Sequence, residues 1–214
     1  MYRGKEVNLC VPTLNRYDLL EKLIQSALNG TVPPDNVYIV DNGGRLETTN
    51  DFIHIKKFGI NVGVAKGWNW LITNSKENRI ISNDDIEFYP DTIASLLDCD
   101  DDFVYTQGIE QVNMFSLFKI NDNLINKIGL FDEDISPNYA YFEDNDYAYR
   151  MKLAGIGATS VDCRAKHLGS MTLKAYNKNA MEDHHRRFSY ARANYIHKWG
   201  GEPGKETFTT PYGR

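Results

Sequence analysis

The stretch VNLCVPTLNRYDLLEKLIQSALNG, residues 7–30, joins a short apolar run to a longer segment with helical periodicity. Its first five residues, Val7 to Val11, are typical of a strand that is buried on both faces of a sheet. Asn15 is a candidate cap for the following helix, in which apolar residues recur every three or four positions, and Gly30 is a candidate stop. The stretch therefore predicts a strand, a polar loop and an amphipathic helix.

The same alternation continues through the first hundred residues. Apolar runs predict further strands at Val37 to Val40, His54 to Phe58 and Ile80-Ile81. Helical spacing predicts helices at Gly63 to Asn74 and at Asp91 to Leu97. Strands that alternate with helices imply a parallel sheet with right-handed crossovers, and ligands bind beyond the carboxyl ends of such strands.

Polar side chains follow three of the predicted strands. They are Thr13, Asn15 and Arg16 after the first strand, Asp41 and Asn42 after the second, and Asn83, Asp84 and Asp85 after Ile81. One such group alone is typical of a turn, but three at one sheet edge indicate a binding site. Adjacent carboxylates repel each other and are costly to bury unpaired, so water or a cation is the expected partner of Asp84 and Asp85.

The second half of the chain has a different pattern. Phe103 to Gln107 and Met114 to Ile120 predict paired strands, followed by a polar loop. The segment YFEDNDYAYRMKLAG, residues 141–155, predicts a helix that ends at Gly155, and Gly157 to Asp162 predicts another strand. A long charged and aromatic helix is expected from Asn179 to Trp199, with the adjacent His184 and His185 on a solvated face.

Composition narrows the function classes. The formal net charge of −5 does not favour nonspecific binding to a polyanion, so a nucleic-acid acceptor is disfavoured, although it stays open. No apolar stretch approaches the ~20 residues that a membrane span requires. The three widely separated cysteines match neither a disulfide framework nor a metal motif, and reduced thiols in a cytoplasmic protein are the expectation.

Six motifs occur in an order that carries a family resemblance. They are VPTLNR (11–16), VDNGG (40–44), NVGVAKGWN (61–69), NDD (83–85), the segment 141–155, and a lone histidine in AKHLGS (165–170). Together they resemble the inverting glycosyltransferases of the GT-A fold, most closely the family 2-like enzymes that include small bacterial and viral rhamnosyl- and glucosyltransferases. The resemblance implies an α/β fold with a mostly parallel central sheet, flanking helices and a small mixed second half.

The resemblance also implies which part of the chain carries which function. A single GT-A domain is expected over 1–214, with a nucleotide-sugar-binding half at 1–100. An acceptor and catalytic half is expected at 101–178, and a C-terminal helix and tail at 179–214.

A divalent cation, Mn²⁺ or Mg²⁺, is the implied cofactor, because it stabilises the diphosphate that leaves with the nucleotide. By resemblance, Asp84 and Asp85 correspond to the family's DxD motif, with Asp85 as metal ligand and Asp84 nearer the ribose or donor sugar. Asn83 replaces the first Asp of a stricter motif, so the assignment within the triplet stays open. By resemblance, His167 matches a metal-ligating histidine of related enzymes. An imidazole ligand suits Mn²⁺ better than Mg²⁺, so manganese is slightly favoured.

The same resemblance assigns the other site residues. Asp144 is the implied general base and Glu143 the second candidate, and the helix terminus is expected to keep Asp144 ionised with a low pKa. Asp146 is expected to form a surface pair with Arg150. The implied nucleotide pocket consists of Thr13, Asn15 and Arg16 around the base and phosphates, Asp41 at a uracil or thymine edge, Asn61 and Gly63 for close backbone approach, and Lys66 at a phosphate.

The resulting prediction is a metal-dependent inverting glycosyltransferase. It would move a hexose or deoxyhexose from a UDP- or dTDP-sugar to a hydroxyl of a glycan or glycoconjugate. One alternative is a sugar nucleotidyltransferase, whose usual Gly-rich N-terminal loop is not matched by VPTLNRYD. Another is a sugar-nucleotide-binding module without turnover.

Overall fold

The structure, a computed structural model, describes residues 1–106, 113–168 and 177–214. Its strands are β1 Val7–Thr13, β2 Asn36–Asp41, β3 Ile53–Lys57, β4 Asn78–Ser82, β5 Ile86–Phe88, β6 Phe103–Thr106, β7 Leu117–Ile120, β8 Thr159–Val161 and β9 Ala165–His167. Its α-helices are α1 Tyr17–Leu28, α2 Gly63–Asn74, α3 Thr92–Asp98, α4 Asp122–Ile128, α5 Glu143–Leu153 and α6 Lys178–Trp199. A short 3₁₀ turn, Pro211–Gly213, follows near the C-terminus.

Seven strands form one central sheet in the order β3-β2-β1-β4-β7-β6-β8. The first four are parallel to one another, as predicted from their alternation with helices. Strand β7 runs antiparallel to both β4 and β6, and β8 is parallel to β6. This sheet confirms the predicted α/β fold and includes strands from both predicted halves. The expected pairing of the strands near Phe103 and Ile120 is confirmed, while Gln107 lies outside the described residues.

Apolar side chains cover both faces of the sheet. On β1, Val7, Leu9 and Val11 belong to one core cluster, which includes side chains of α1 and α3. Cys10 belongs to a second cluster, which includes side chains of α2 and α5. Alternate residues of a strand point to opposite faces, so one short apolar run supplies both cores.

Three local predictions are corrected by the structure. Asn15 does not cap α1, because Arg16 occupies the cap position and makes no side-chain capping bond, while Asn15 has a left-handed backbone with φ of 61°. Helix α3 begins at Thr92, one residue later than expected. The predicted polar loop after β7 contains helix α4, which Asn121 caps by accepting a hydrogen bond from the Leu124 N–H at 3.2 Å.

The interface between α5 and α6 is buried and charged. Asp146 and Arg150 form the expected ion pair, with 2.8 Å between their charged atoms. The expected surface location is wrong, because Asp146 is fully buried. Its other carboxylate oxygen accepts hydrogen bonds from the Trp199 indole at 2.8 Å and the Lys198 ammonium at 2.6 Å. The expectation of a solvated His184 is also wrong, since this side chain is buried against the 139–141 segment. Asp146 therefore anchors the C-terminal helix.

Across the three described ranges, the structure has no helix with the length and apolar character needed to cross a membrane.

Candidate active site

The loops that follow β1 and β4 meet at the carboxyl end of the sheet. These strands are parallel neighbours, so their ends lie side by side. The Thr13 hydroxyl donates a hydrogen bond to Asp84 Oδ2 at 2.7 Å. Two polar groups that are distant in sequence are thus brought into direct contact.

A separate two-stranded sheet brings His167 to the same place. Strand β5 pairs with β9 in antiparallel register, with Ile86 opposite His167, and the Leu168 N–H donates to the Asp85 carbonyl at 2.9 Å. As a result, His167 Nε2 lies 3.0 Å from Asp85 Oδ1. The sequence pattern did not predict either of these short strands, yet they create the contact.

The two acidic side chains after β4 have different surroundings. Asp85 is 7% exposed and contacts His167, whereas Asp84 is half-buried and faces Thr13. Burial, together with the charge of Asp85, raises the pKa of Asp84 to about 6, although the Thr13 hydroxyl and the charge of Arg16 oppose this rise. A cation at this point would relieve the repulsion between the two carboxylates.

A second acidic pair begins helix α5. The preceding residues Tyr141 and Phe142 both have left-handed backbone conformations, with φ of 90° and 68°. Such conformations are strained in residues with a side chain and cluster at functional sites. Glu143 is 4% exposed, and its Oε2 atom has no hydrogen-bond partner among the described residues. The chain therefore holds a nearly buried carboxylate at a strained turn.

Burial controls the protonation of this pair. It raises the pKa of Glu143, and the neighbouring charge of Asp144 raises it further. Burial also raises the pKa of Asp144, although the Asn145 N–H donates to its Oδ1 at 2.8 Å. The expected low pKa of Asp144 is wrong, because loss of hydration outweighs the helix N–H groups. A carboxylate with a raised pKa is a stronger base.

Both acidic pairs line one cavity of about 350 Å³. Eight of the predicted site residues contribute to its wall: Thr13, Asn61, Gly63, Asp84, Asp85, Glu143, Asp144 and His167. The wall also includes Asn42 and Asn83, which belong to the polar groups expected at this sheet edge, and five residues for which no site role was predicted: Trp68, Asn113, Phe115, Tyr139 and Tyr141. The predicted acidic and histidine residues are thus concentrated around a single space.

Four predicted pocket residues do not line this cavity: Asn15, Arg16, Asp41 and Lys66. Arg16 donates two hydrogen bonds to Asp18, at 3.0 and 2.9 Å, and Asn15 accepts one from Arg45 at 2.9 Å. Lys66 is exposed on α2. Their predicted contacts with a nucleotide stay predictions.

Asp41 is buried and shapes the loop that follows β2. It accepts hydrogen bonds from the Tyr17 hydroxyl and from three backbone N–H groups within residues 43–46, all at 2.8 to 2.9 Å. Burial acts to raise the pKa of Asp41, but these bonds bring it below its ordinary value. The next residue, Asn42, lines the cavity and accepts a hydrogen bond from the Val62 N–H at 2.9 Å.

Gly63 is packed against the loop that contains Tyr139. Its φ is +82°, and a Cβ atom here would lie 2.4 Å from the Tyr139 carbonyl oxygen and 2.5 Å from its nitrogen. The Val64 N–H donates to that carbonyl at 2.7 Å, and the Gly63 N–H donates to Asn61 Oδ1 at 2.9 Å. The close backbone approach expected at Gly63 is therefore an approach to the Tyr139 backbone of the same chain.

Two of the unassigned wall residues could have been found from the sequence, and one could not. Tyr139 and Tyr141 directly precede the acidic pair, so their proximity to it is visible in the sequence. Trp68 is 3% exposed and packs against Phe131, with 4.8 Å between ring centroids. Its indole N–H has no hydrogen-bond partner among the described residues, a property that only the packing reveals.

The donor set suits a hard divalent cation whose remaining ligands come from a bound phosphate. Within the described ranges there is no group of three or more His, Cys, Asp or Glu side chains arranged to hold a metal. Mg²⁺ in nucleotide sites commonly uses one or two carboxylates, together with phosphate oxygens and water. Asp85 and His167, 3.0 Å apart, fit that pattern, and the imidazole also suits Mn²⁺.

Comparison with known proteins gives a consistent result. The family described as Glycosyl transferase family 2 matches residues 9–104. Among solved structures, the mannosyltransferase PcManGT from Pyrobaculum calidifontis, in complex with GDP-Man and Mn²⁺, has a TM-score of 0.63 at 16% identity and matches 93% of this chain. S. aureus TarS 1-349 in complex with UDP-GlcNAc has a TM-score of 0.57 at 14% identity and matches 81%.

The match covers 66% of the PcManGT chain and 62% of the TarS chain, so this chain spans less than two thirds of either. No curated protein sequence matches it significantly. The family match lies on the half that carries β1 to β4, and the structural similarity extends over nearly the whole chain. Together, these findings show that the chain has the GT-A fold of these glycosyltransferases and that residues 9–104 are similar to Glycosyl transferase family 2.

Proposed function

We propose that this protein is a metal-dependent inverting glycosyltransferase that uses a UDP- or dTDP-sugar and transfers a hexose or deoxyhexose to an acceptor hydroxyl. The observation that carries the proposal is the shared cavity. Asp84, Asp85 and His167 line it together with Glu143 and Asp144. A candidate cation-binding set that shares a cavity with a buried basic carboxylate suits sugar transfer from a nucleotide diphosphate.

The donor is assigned to the wall formed by the loops after β1, β2 and β4. Asp85 and His167 would hold Mn²⁺ or Mg²⁺, and the bound cation would neutralise charge on the leaving diphosphate. Asp84, held by Thr13, is then assigned to the ribose or donor sugar. Recognition of the pyrimidine edge is assigned to the 41–46 loop, in which Asp41 maintains the shape and Asn42 lines the cavity.

Asp144 is proposed as the general base. The acceptor oxygen forms a bond to the anomeric carbon while the bond from that carbon to the diphosphate oxygen breaks. The electron pair leaves with the diphosphate, and the acceptor proton moves to Asp144. The raised pKa of Asp144 favours this proton transfer. A direct displacement without a covalent intermediate inverts the anomeric centre.

The solved structures support nucleotide-sugar use but differ in the nucleotide. PcManGT was solved with GDP-Man and Mn²⁺, and TarS with UDP-GlcNAc. The acceptor of this protein is assigned to the class of glycans and glycoconjugates. The three cysteines are free thiols, which supports the expectation of a reducing compartment such as the cytoplasm.

The test is calorimetric titration with UDP, dTDP, GDP and their sugars, in Mn²⁺ and then in excess EDTA. We expect metal-dependent binding of a uridine or thymidine nucleotide, followed by slow donor hydrolysis that Asp144→Asn abolishes. Binding of GDP alone would correct the donor assignment. Failure of every nucleotide to bind in the presence of metal would overturn the proposed function.

A further inference from the structure

A second cavity of about 360 Å³ adjoins the candidate active site. Its described lining consists of Ser136, Pro137, Tyr139, Arg186, Arg187 and Tyr190. It therefore lies between the loop that precedes α5 and one face of α6. Tyr139 lines both cavities, so the two are neighbours at this residue.

The second cavity has a surplus of positive charge. Arg186 and Arg187 are both paired with a single carboxylate, that of Asp183. Two guanidinium groups that share one carboxylate leave a net positive charge, although the whole chain carries −5. The side chains of Arg186 and Arg187 are 77% and 41% exposed, so both can reach a ligand from solvent.

The cavity also presents aromatic rings. The guanidinium carbon of Arg187 lies 5.1 Å from the ring centroid of Tyr139, which orients this arginine at the boundary between the cavities. The Tyr139 hydroxyl lies 3.1 Å from His184 Nδ1, so the ring is held from its other end. Tyr190 is 59% exposed, so its ring is accessible to a ligand. Tyrosine rings combine an apolar face with a polar tip and suit the stacking of a sugar ring.

We propose that this second cavity is an acceptor subsite for a sugar ring that carries a negative charge, either a phosphate or a carboxylate. Arg186 and Arg187 bind the anionic group, since the planar guanidinium matches both carboxylate and phosphate oxygens. Tyr190 and Tyr139 contact the ring. The inference rests on the proposed function, because it places the acceptor hydroxyl on the Asp144 side of Tyr139.

The test measures binding of glucose, glucose 6-phosphate and glucuronic acid to the full chain by NMR titration without a donor. We expect one or both charged sugars to bind at least about tenfold more tightly than glucose. The stronger of the two identifies the anionic group. Arg187→Gln and Arg186→Gln should reduce the preference for charged sugars. Tyr190→Ala should weaken the binding of all three sugars.

Matched controls separate a local role from a general effect of charge. Arg192 lies on the same helix but pairs with Glu202, so Arg192→Gln should leave the preference unchanged. Tyr212→Ala removes another exposed tyrosine and should leave sugar binding unchanged. Equal affinity for glucose and both charged sugars overturns the proposal. An equal loss of the preference for charged sugars in Arg192→Gln and Arg187→Gln also overturns it.

Donor hydrolysis, measured on the same preparations, distinguishes the two proposals. Hydrolysis by the wild type without any preference for charged sugars would overturn the acceptor subsite alone. A charge preference without hydrolysis of any nucleotide sugar would overturn the proposed function and leave only an anionic-sugar site. Circular dichroism of each variant confirms that the helices are retained.

Discussion

His167 Nε2 and Asp85 Oδ1 lie 3.0 Å apart, although Asp85 follows β4 and His167 ends β9. The pairing of β5 with β9 creates this contact, because it sets Ile86 opposite His167. Both side chains are largely buried, and the hydrogen bond from the Leu168 N–H to the Asp85 carbonyl at 2.9 Å links the turn that carries Asp85 to the end of β9. A preformed pair of this kind can hold a cation with little rearrangement.

Asp85→Asn should therefore weaken Mn²⁺-dependent nucleotide binding by at least about a hundredfold, because a neutral amide replaces an anionic ligand. Isothermal titration with and without Mn²⁺ measures the effect. Glu87→Gln is the matched control, since Glu87 lies two residues after Asp85 on β5, is exposed and pairs with Lys166. Similar losses in both variants would argue against Asp85 as a ligand.

Asp144→Asn should lower the transfer rate by about 10²- to 10⁴-fold while donor affinity is retained, because the amide cannot accept the acceptor proton. Glu143→Gln should have a smaller effect on the rate. Single-turnover assays at saturating donor separate the rate from binding. A rate that persists in Asp144→Asn and disappears in Glu143→Gln would transfer the role of base to Glu143.

The stability of the protein should depend on pH through Glu143. The pKa of Glu143 is raised in the folded state, mainly by burial, so the folded protein holds this proton more tightly than the unfolded chain does. The resulting stability is complete below the ordinary glutamate pKa of about 4.3 and is lost as the pH rises through the higher folded value. Glu143→Gln should therefore gain melting temperature relative to wild type as the pH rises from about 5 to about 9.

Thermal melts at several pH values measure this difference. Glu21→Gln serves as the control, because Glu21 is exposed on α1 and carries no comparable burial. A melting-temperature difference for Glu143→Gln that is constant with pH would contradict the prediction.

Asp146→Asn should reduce the free energy of unfolding by about 3–5 kcal/mol, because the half-buried Arg150 loses its ion-pair partner and the buried Lys198 keeps only Asp132. Urea unfolding measures this change. Asp183→Asn should change stability little, since Asp183 pairs with arginines on the exposed face of α6. Equal stability of the two variants would contradict the proposed role of Asp146 in anchoring α6.

Gly63→Ala should lower both stability and donor binding, because its Cβ atom would meet the Tyr139 backbone at 2.4 Å. Gly59→Ala tests the backbone conformation alone, since Gly59 has a φ of +76° and a Cβ atom there would have no neighbour within 4 Å. Left-handed backbone costs an alanine about 1 kcal/mol in both variants. The additional loss in Gly63→Ala, measured by urea unfolding and calorimetry, reports the contact with Tyr139.

Much of the fold was predictable because its signals are local. Helix α2 has its predicted limits, Gly63 and Asn74, since helical periodicity and flanking residues lie within one segment. The parallel order of β1 to β4 followed from the alternation of strands with helices. Strand β9 and helix α4 were not predicted, because a three-residue strand and a polar seven-residue helix leave too short a pattern.

By itself, the sequence determined the α/β class, the order of the motifs and the carboxylates that converge on one sheet edge. Only the tertiary structure decided how these groups behave. It set His167 beside Asp85, buried Asp146 beneath α6 and raised the pKa of Asp144. The reason is that periodicity depends on near neighbours along the chain. Burial, charge proximity and protonation depend instead on residues that become neighbours only when the sheet and helices pack together.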